Sequence, residues 1–219
     1  MFVFLAVFIG IFGYFIVAGV RQTQMNLEAR SGAAAQVVAT SAYWISEVAN
    51  QTLRRLDTAL GPQLSDSSES MQAVLDGLPS VVEVYVIDAE ANTIYSTVPG
   101  ASAVSVADRE YFTALRDGAP FYTSAMIISR LTDDRIFVFS KRMERDSDFA
   151  GAIMVSYSER LLEDLWRTLD LDPGSTVSLV RDDGKLMARY PPSDGPIDLS
   201  ALPLFTEYLP ASPNGTYSS

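Results

Sequence analysis

The sequence contains no cysteine and no histidine, and these two absences exclude several kinds of chemistry. Without thiols or imidazoles there is no thiol nucleophile, no Ser-His triad, no zinc site of the usual kind and no haem held by histidine. Disulfides are excluded as well, which is compatible with an oxidising compartment without requiring one. We therefore expect no metal and no cofactor in this chain.

Basic residues are also scarce. The chain has 16 Lys and Arg against 27 Asp and Glu, which gives a formal net charge of −11. Such an acidic chain is poorly suited to nucleic acid, or to an anionic membrane surface, as its main partner. Apolar residues nevertheless make up 48% of its 219 residues, enough for one large domain or two small ones.

The N-terminal segment lacks charge altogether. Residues 2–20 read FVFLAVFIGIFGYFIVAGV, a run that matches the length needed to cross the apolar core of a bilayer. A cleaved signal peptide is the alternative, but it would carry a basic stretch before the run and a small-residue cleavage site after it. Neither is present, so we predict a transmembrane helix over residues 1–20.

The charges that flank this span bear on its orientation. Arg21 and Arg30 follow the span and no basic residue precedes it. Taken alone, the preference of Lys and Arg for the cytoplasmic side would place the following domain in the cytoplasm. The family resemblance described below implies the opposite orientation, so the charge bias alone does not decide the topology.

A long helix is predicted next, over residues 21–62. Apolar residues recur there at spacings of three and four, and Gly61-Pro62 ends the pattern. The stripe predicts packing against the chain's own domain, and a homodimer contact near the membrane is a further possibility. Its members are Val38, Ala42, Ile45, Ala49, Leu53, Leu56 and Leu60.

After a polar connection the pattern changes to short strands, which predicts an α+β fold. Residues rich in β-branched and aromatic side chains alternate with short turns, as in an antiparallel sheet. Helices are expected after Asp108 and over residues 158–170. The predicted strands are Val81–Ile87, Asn92–Thr97, Phe121–Ile128, Arg135–Met143 and Phe149–Tyr157.

A second hairpin begins at Thr176, with a tight turn expected at Asp183-Gly184. It repeats the first hairpin at an offset of 93 residues, with Val84 falling on Val177 and Ile94 on Met187. The repeat predicts two related modules, over residues 63–170 and 171–219. Because the first needs roughly 85 residues to finish, we expect the second to lack its last strands.

Several segments, in this order, resemble the double Cache family of PAS-like sensors. They are an N-terminal span, a long helix, Asp108-Arg109-Glu110-Tyr111-Phe112, a strand with Tyr122 and Ser124, FVFSKRM at 137–143, FAGAI at 149–153 and DDGKLMARYP at 182–191. The resemblance implies a tandem PAS-like fold anchored in the bacterial inner membrane, with the sensor in the periplasm and a small ligand in the membrane-distal module. Output domains in such receptors include histidine kinases, diguanylate cyclases and chemotaxis signalling domains.

Basic side chains concentrate where the resemblance places the ligand. Residues 108–146 hold seven of the 16 basic residues and an equal number of acids. A small carboxylate would suit this region, because Arg grips a carboxylate with two parallel hydrogen bonds. The Tyr-Arg-aromatic-Asp signature of amino-acid-binding members is incomplete here. The alternation of side chains along the strand leaves open whether Lys141 or Arg142 points inward. The predicted ligand residues are Arg109, Tyr111, Tyr122, Ser124, Arg130 and Arg142.

The sequence thus predicts the ligand-sensing region of a membrane receptor, not an enzyme. A membrane-anchored hydrolase is one alternative, but without His or Cys only Ser-Lys or paired-carboxylate catalysis remains, and no spacing favours either. An adaptor with an empty pocket is another. The ligand, the output domain and the oligomeric state are not determined by the sequence.

Overall fold

We describe a computed structural model of the chain over residues 2–61, 68–78, 82–101, 104–169, 174–192 and 197–217; side chains are described for these residues except 2–10, 24 and 68–70. Over these residues the chain forms five helices, eight strands and one π-helical turn. The helices are α1 (Phe2–Leu60), α2 (Ser68–Leu75), α3 (Glu110–Arg116), α4 (Glu159–Trp166) and α5 (Leu209–Ala211), and the π-helical turn is Leu204–Tyr208. The strands are β1 (Val82–Ile87), β2 (Thr93–Ser96), β3 (Phe121–Thr123), β4 (Ile127–Ile128), β5 (Arg135–Arg145), β6 (Asp148–Ser158), β7 (Val177–Val180) and β8 (Leu186–Tyr190).

The long helix is confirmed, and it ends where the sequence predicts. α1 runs without interruption for 59 residues. Gly61 follows it with a φ of 62°, the left-handed conformation that ends many helices and that glycine adopts without strain. The apolar stripe packs on the sheet as expected, with Ala49, Leu53 and Leu56 fully buried.

The predicted membrane span falls at the start of α1. Side chains of residues 1–10 lie outside the described part of the chain. A search of the described residues found no helix with an apolar stretch sufficient to cross a bilayer.

The predicted antiparallel sheet is confirmed. Its strand order is β2-β1-β6-β5-β3, with β4 also paired to β5, and every pairing is antiparallel. The prediction of one strand over residues 121–128 is wrong, because the segment leaves the ladder at Ser124. There the Val138 N–H donates to the Ser124 hydroxyl at 2.9 Å, where a regular ladder would have a backbone carbonyl as the acceptor. Two residues later, the Met126 N–H donates to the Leu186 carbonyl of the second hairpin at 2.8 Å.

The two faces of this sheet bury different helices, and alternation along β5 separates them. Phe137 and Phe139 face α1, where Phe137 stacks on Tyr157 with ring centroids 5.7 Å apart. Ile136 and Val138 face the other way, towards α3. The first face therefore forms the larger core, and the second carries a smaller cluster.

β7 and β8 form a separate two-stranded sheet whose turn contains Asp183 and Gly184, as predicted. Its pairing repeats that of β1 and β2 at the predicted offset of 93. Val86 pairs with Tyr95 in the first hairpin, as Leu179 pairs with Ala188 in the second. The register shift between Val86 and Ile87 recurs between Leu179 and Val180. The two hairpins thus share strand register and bulge as well as sequence pattern.

Candidate functional site

A cavity of about 50 Å³ lies on the second face of the sheet, beneath the segment that connects β2 to α3 and the loop after β4. This volume is several times the ~10–15 Å³ that one water needs. The sequence predicts a ligand site in the region of residues 108–146, and half of the residues that line this cavity come from that segment. Its apolar walls are Ile87, Ala101, Val104, Val106, Ile127, Leu131, Ile136, Val138 and Met154; its polar residues are Tyr85, Thr93, Arg109, Tyr111, Ser129, Arg130 and Ser156.

Two arginines line one side of the cavity and differ in their partners. Arg130 donates two hydrogen bonds to the Asp108 carboxylate, at 2.8 and 2.7 Å, and a third to the Ser105 carbonyl. The hydrogen bond from Arg130 lowers the pKa of Asp108 to about 2, so the carboxylate stays ionised and neutralises this guanidinium.

Arg109 is the second arginine, and its charge also contributes to lowering the pKa of Asp108. It precedes the first residue of α3, and its Nη2 donates to the Ile128 carbonyl at 2.9 Å. Within the described ranges it forms no ion pair with a carboxylate. A buried or half-buried cation without a counter-ion favours an anion from solution or from a ligand. Arg109 is therefore the positive end of the cavity.

Tyr111 places a hydroxyl in the same space. It belongs to α3 and is buried, and burial raises its pKa to about 12 while the nearby charge of Arg109 opposes the shift. The hydroxyl therefore remains protonated at neutral pH. It makes no hydrogen bond to any described residue and remains available to a bound molecule.

The opposite side of the cavity is built on β1 and β6. The Tyr85 hydroxyl donates to Oε2 of Glu83 at 2.8 Å, and Ser156 Oγ donates to the same oxygen at 3.0 Å. The pKa of Tyr85 is raised mainly by burial and secondly by its hydrogen bond to Glu83. Sequence reasoning missed all three residues, although the alternation V-E-V-Y-V-I of β1 places Glu83 and Tyr85 on one face with Ile87.

Three of the six predicted ligand residues line the cavity: Arg109, Tyr111 and Arg130. The other three lie outside its lining. Tyr122 accepts a hydrogen bond from Arg181 of the second hairpin at 2.8 Å, and the Arg181 guanidinium lies over its ring. The Ser124 hydroxyl accepts a hydrogen bond from the Val138 amide, as described above.

Arg142 is the third predicted residue outside the cavity. Its Nη1 donates to the carbonyls of Leu115 and Arg116 at 2.6 and 3.1 Å, which satisfies the C-terminal end of α3. Lys141 points to the opposite face and pairs with Asp57 of α1. This answers the question left open by alternation: Arg142 lies on the α3 face, where it supports the helix that carries Tyr111.

Comparison with known proteins gives the class. The family model dCache_1-like, described as a histidine kinase sensor domain, matches residues 159–219. The extracellular domain of the histidine kinase rpHK1S-Z16 is 27% identical, with a TM-score of 0.72 over 90% of this chain and 83% of that one. No curated protein sequence matches the chain significantly.

Two chemoreceptor structures share the fold at lower identity. The sensory domain of Campylobacter jejuni Tlp3, with isoleucine bound, is 12% identical with a TM-score of 0.55, over 77% of this chain and 71% of that one. The ligand-binding domain of Pseudomonas fluorescens CtaA, in complex with L-valine, is 15% identical with a TM-score of 0.54, over 74% and 72%. The chain thus resembles a Cache-type sensor domain and shares the fold of the sensor domains of a histidine kinase and of chemoreceptors. It is the ligand-sensing region of a signal-transduction receptor, and this region is not an enzyme.

Proposed function

We propose that the cavity between the sheet and α3 binds a small carboxylate ligand, with Arg109 as its main contact. The observation that carries the proposal is the Arg109 guanidinium, which forms no ion pair among the described residues and lies at the edge of a cavity with mostly apolar walls. Tyr111 supplies a hydroxyl beside it that makes no hydrogen bond within the described part of the chain, and Arg130, already paired with Asp108, forms part of the wall. Tyr122, Ser124 and Arg142 act on the surroundings of this site and not on the ligand.

The test is thermal stabilisation of the full chain in detergent by a panel of small organic acids and amino acids, since a ligand that binds the folded state raises the melting temperature. We include isoleucine and valine because the similar Tlp3 and CtaA domains hold them. Replacing Arg109 by Ala should weaken the best carboxylate about 10- to 100-fold, since a charge-assisted hydrogen bond contributes about 1.5–3 kcal/mol.

Arg116 provides the matched control. It lies on the same helix, and its side chain is 51% exposed beside Asp117. Arg116→Ala should leave ligand affinity within about twofold, because an exposed pair contributes little. An Arg109→Ala variant that binds as well as the parent would refute the site.

We further propose that the chain is anchored in the bacterial inner membrane by residues 1–20 and exposes its sensor to the periplasm. The charge-free run and the family's extracellular location support this reading. Alkaline phosphatase fused after Ser219 tests it, because that enzyme is active only after export. An inactive fusion would place the domain in the cytoplasm, as the flanking Arg21 and Arg30 suggest.

We also propose a homodimer through α1. On the side of α1 away from the sheet, Val37, Trp44 and Val48 lie at spacings of seven and four and are 45%, 60% and 45% exposed. Such a stripe is typical of helix pairing. Because the chain has no cysteine, Val48→Cys is a clean test: oxidation should give a covalent dimer, whereas Glu90→Cys, on an exposed turn, should not. Equal crosslinking of both variants would contradict the proposal.

Finally, we propose that β7 and β8 begin a second, membrane-proximal module of the same topology. Their shared register and bulge with β1 and β2 support this, as does an open cleft of about 870 Å³ between this hairpin and α1. A crystal structure of the complete extracellular region tests it. A strand paired to the free edge of β7, as β6 pairs with β1, is expected; a hairpin that remains two-stranded would argue against it.

A further inference from the structure

We propose that the turn of the second hairpin, residues 181–185, is a docking surface for the first module, and that Arg181 at its centre controls how readily the wall of the cavity opens. The partner surface is α3 together with β3 and the segment that leads to β4. The inference concerns a motion of the chain itself, so it holds whatever molecule the cavity binds.

The two hairpins share a backbone but differ in the side chains of their turns. In the first, Asp88 accepts hydrogen bonds from the backbone N–H of Asn92 at 2.7 Å and from its side-chain amide at 3.0 Å, so the turn closes on itself. At the offset of 93, Arg181 and Lys185 occupy these two positions. The backbone bond between the two positions is 2.9 Å long in both hairpins. The second turn therefore keeps the backbone and carries two cations that can reach outwards.

Arg181 reaches β3. Its Nη1 donates to the Tyr122 hydroxyl and to the Thr123 carbonyl, both at 2.8 Å, and its Nη2 donates to Asp183 at 2.9 Å. The guanidinium also lies over the Tyr122 ring, 4.9 Å from the centroid, and the side chain is only 15% exposed. Hydrogen bonds from a charged donor that is mostly shielded from water are stronger than an exposed ion pair. Arg181 is thus the central contact between the two modules.

Two further contacts lie on either side of Arg181. Lys185 Nζ is 3.5 Å from the carboxylate of Glu110, the first residue of α3, and Glu110 is also hydrogen-bonded to the Tyr122 hydroxyl. The Leu186 carbonyl accepts the Met126 N–H at 2.8 Å. The second hairpin therefore holds α3, β3 and the segment before β4 at the same time.

These contacts hold two walls of the cavity together. Glu110 lies between Arg109 and Tyr111, and Met126 immediately precedes Ile127; Arg109, Tyr111 and Ile127 all line the cavity. For the cavity to open, the start of α3 must separate from the segment before β4. The turn is bonded to both and opposes that separation. Because local openings depend on the few contacts that they break, the frequency of opening should depend on the turn.

The same contacts have a consequence in the other direction. A molecule that binds the closed cavity favours the arrangement in which the hairpin is docked. The coupling free energy between two sites is reciprocal, so such a molecule would strengthen the docking by the factor by which docking strengthens its binding.

Hydrogen exchange of the full chain in detergent, with nothing added, measures the opening. In Arg181→Ala, the Met126 amide should exchange at least about tenfold faster than in the parent, because losing a hydrogen bond from a charged group changes an equilibrium by about that factor. Mass spectrometry of fragments that contain Met126 reports this rate. Fragments from β1 and β6, whose pairing does not involve the turn, should exchange as in the parent.

Arg189→Ala is the matched control. It removes the same charge from the same hairpin, and Arg189 donates its backbone N–H to Oε1 of Glu159 at 3.1 Å, a hydrogen bond that the substitution keeps. Exchange at Met126 should stay within about twofold of the parent. Arg181→Lys should recover only part of the protection, because an ammonium lacks the planar fork that bonds to several acceptors at once.

If Arg181→Ala does not fold, Tyr122→Phe provides the second route. It removes one acceptor of Arg181 while keeping the ring, and should accelerate exchange at Met126 at least about threefold. Parent-like exchange at Met126 in Arg181→Ala, or in Tyr122→Phe when that variant is used, would overturn the proposal. So would an equal acceleration in β1 and β6, which would mean general unfolding and not opening of the cavity wall. Because no carboxylate enters this experiment, failure of the carboxylate site leaves its outcome unaffected.

Discussion

The two faces of the six-stranded sheet are made from alternate residues of the same strands, yet they serve different purposes. The face towards α1 is closed by Phe137, Phe139 and Tyr157 and by an ion cluster of Asp57, Lys141 and Arg145. The face towards α3 encloses a cavity. The contrast predicts that the face towards α1 contributes more to stability than the face that encloses the cavity.

Two methionines provide the sharpest test of this contrast. Met143 is fully buried on the α1 face, whereas Met154 lines the cavity. Met143→Ala should lower the free energy of unfolding by about 4 kcal/mol and Met154→Ala by about 2 kcal/mol, because the second side chain already borders empty space and loses fewer contacts. Denaturant unfolding of the full chain measures both. Equal losses would mean that the two faces are packed alike.

The next largest loss of unfolding free energy is expected from the ion cluster of the α1 face. Asp57 lies 2.9 Å from Arg145 and also pairs with Lys141, and its side chain is only 19% exposed. Asp57→Ala leaves two half-buried cations without a partner and should cost about 2–3 kcal/mol. Asp108→Ala removes an exposed acid from the other face and should have a smaller effect on unfolding. The reverse order would contradict the comparison.

A third change tests whether the cavity face depends on its helix. Arg142→Ala frees the carbonyls of Leu115 and Arg116 at the end of α3 and should cost about 1–2 kcal/mol. Because α3 carries Tyr111, the same variant should also weaken ligand binding. Arg142→Lys keeps the positive charge but loses the planar guanidinium that reaches both carbonyls, so it should recover only part of the lost stability. Unchanged affinity in Arg142→Ala would show that α3 holds its position without this contact.

The smallest expected effect concerns how stability depends on pH through Asp108. The hydrogen bond from Arg130 lowers the pKa of Asp108 to about 2, below the usual value near 3.8. A lowered folded-state pKa contributes stability that is fully present above the usual value and is lost as the pH falls towards 2. Carboxyl NMR shifts should show Asp108 titrating in this low range, and Arg130→Ala should return it towards 3.8. A parent chain titrating near 4 would mean that the pair does not form in solution.

Much of the fold could be predicted because its signals are periodic. The three/four stripe of α1 and the alternation along β5 each determine which side chains share a face, and the structure agrees with both. The offset of 93 also anticipated the common register of the two hairpins. The break at Ser124 could not be predicted, since it depends on Met126 reaching Leu186 some 60 residues away.

The site was less accessible from sequence for a related reason. The presence of an arginine in the sequence does not show which partners its guanidinium already has. In the structure Arg130 pairs with Asp108, Arg142 bonds to the C-terminal end of α3, and Arg109 bonds to a single carbonyl. Tyr122 was attractive as a strand aromatic, but its partner Arg181 lies in the other hairpin. Glu83 had a signal, as a lone acid in an apolar strand, but its meaning depends on Ser156 in β6.

The unbroken length of α1 has a mechanical consequence. The helix is 59 residues long, about 88 Å at 1.5 Å per residue. It packs in the core from Val38 to Leu60, which leaves about 54 Å of helix between Phe2 and Val37. A straight rod held at one end amplifies rotation: a tilt of about 1° at the sheet displaces a point 54 Å away by about 1 Å. Sub-ångström adjustments around a bound ligand would thus be magnified along this lever arm.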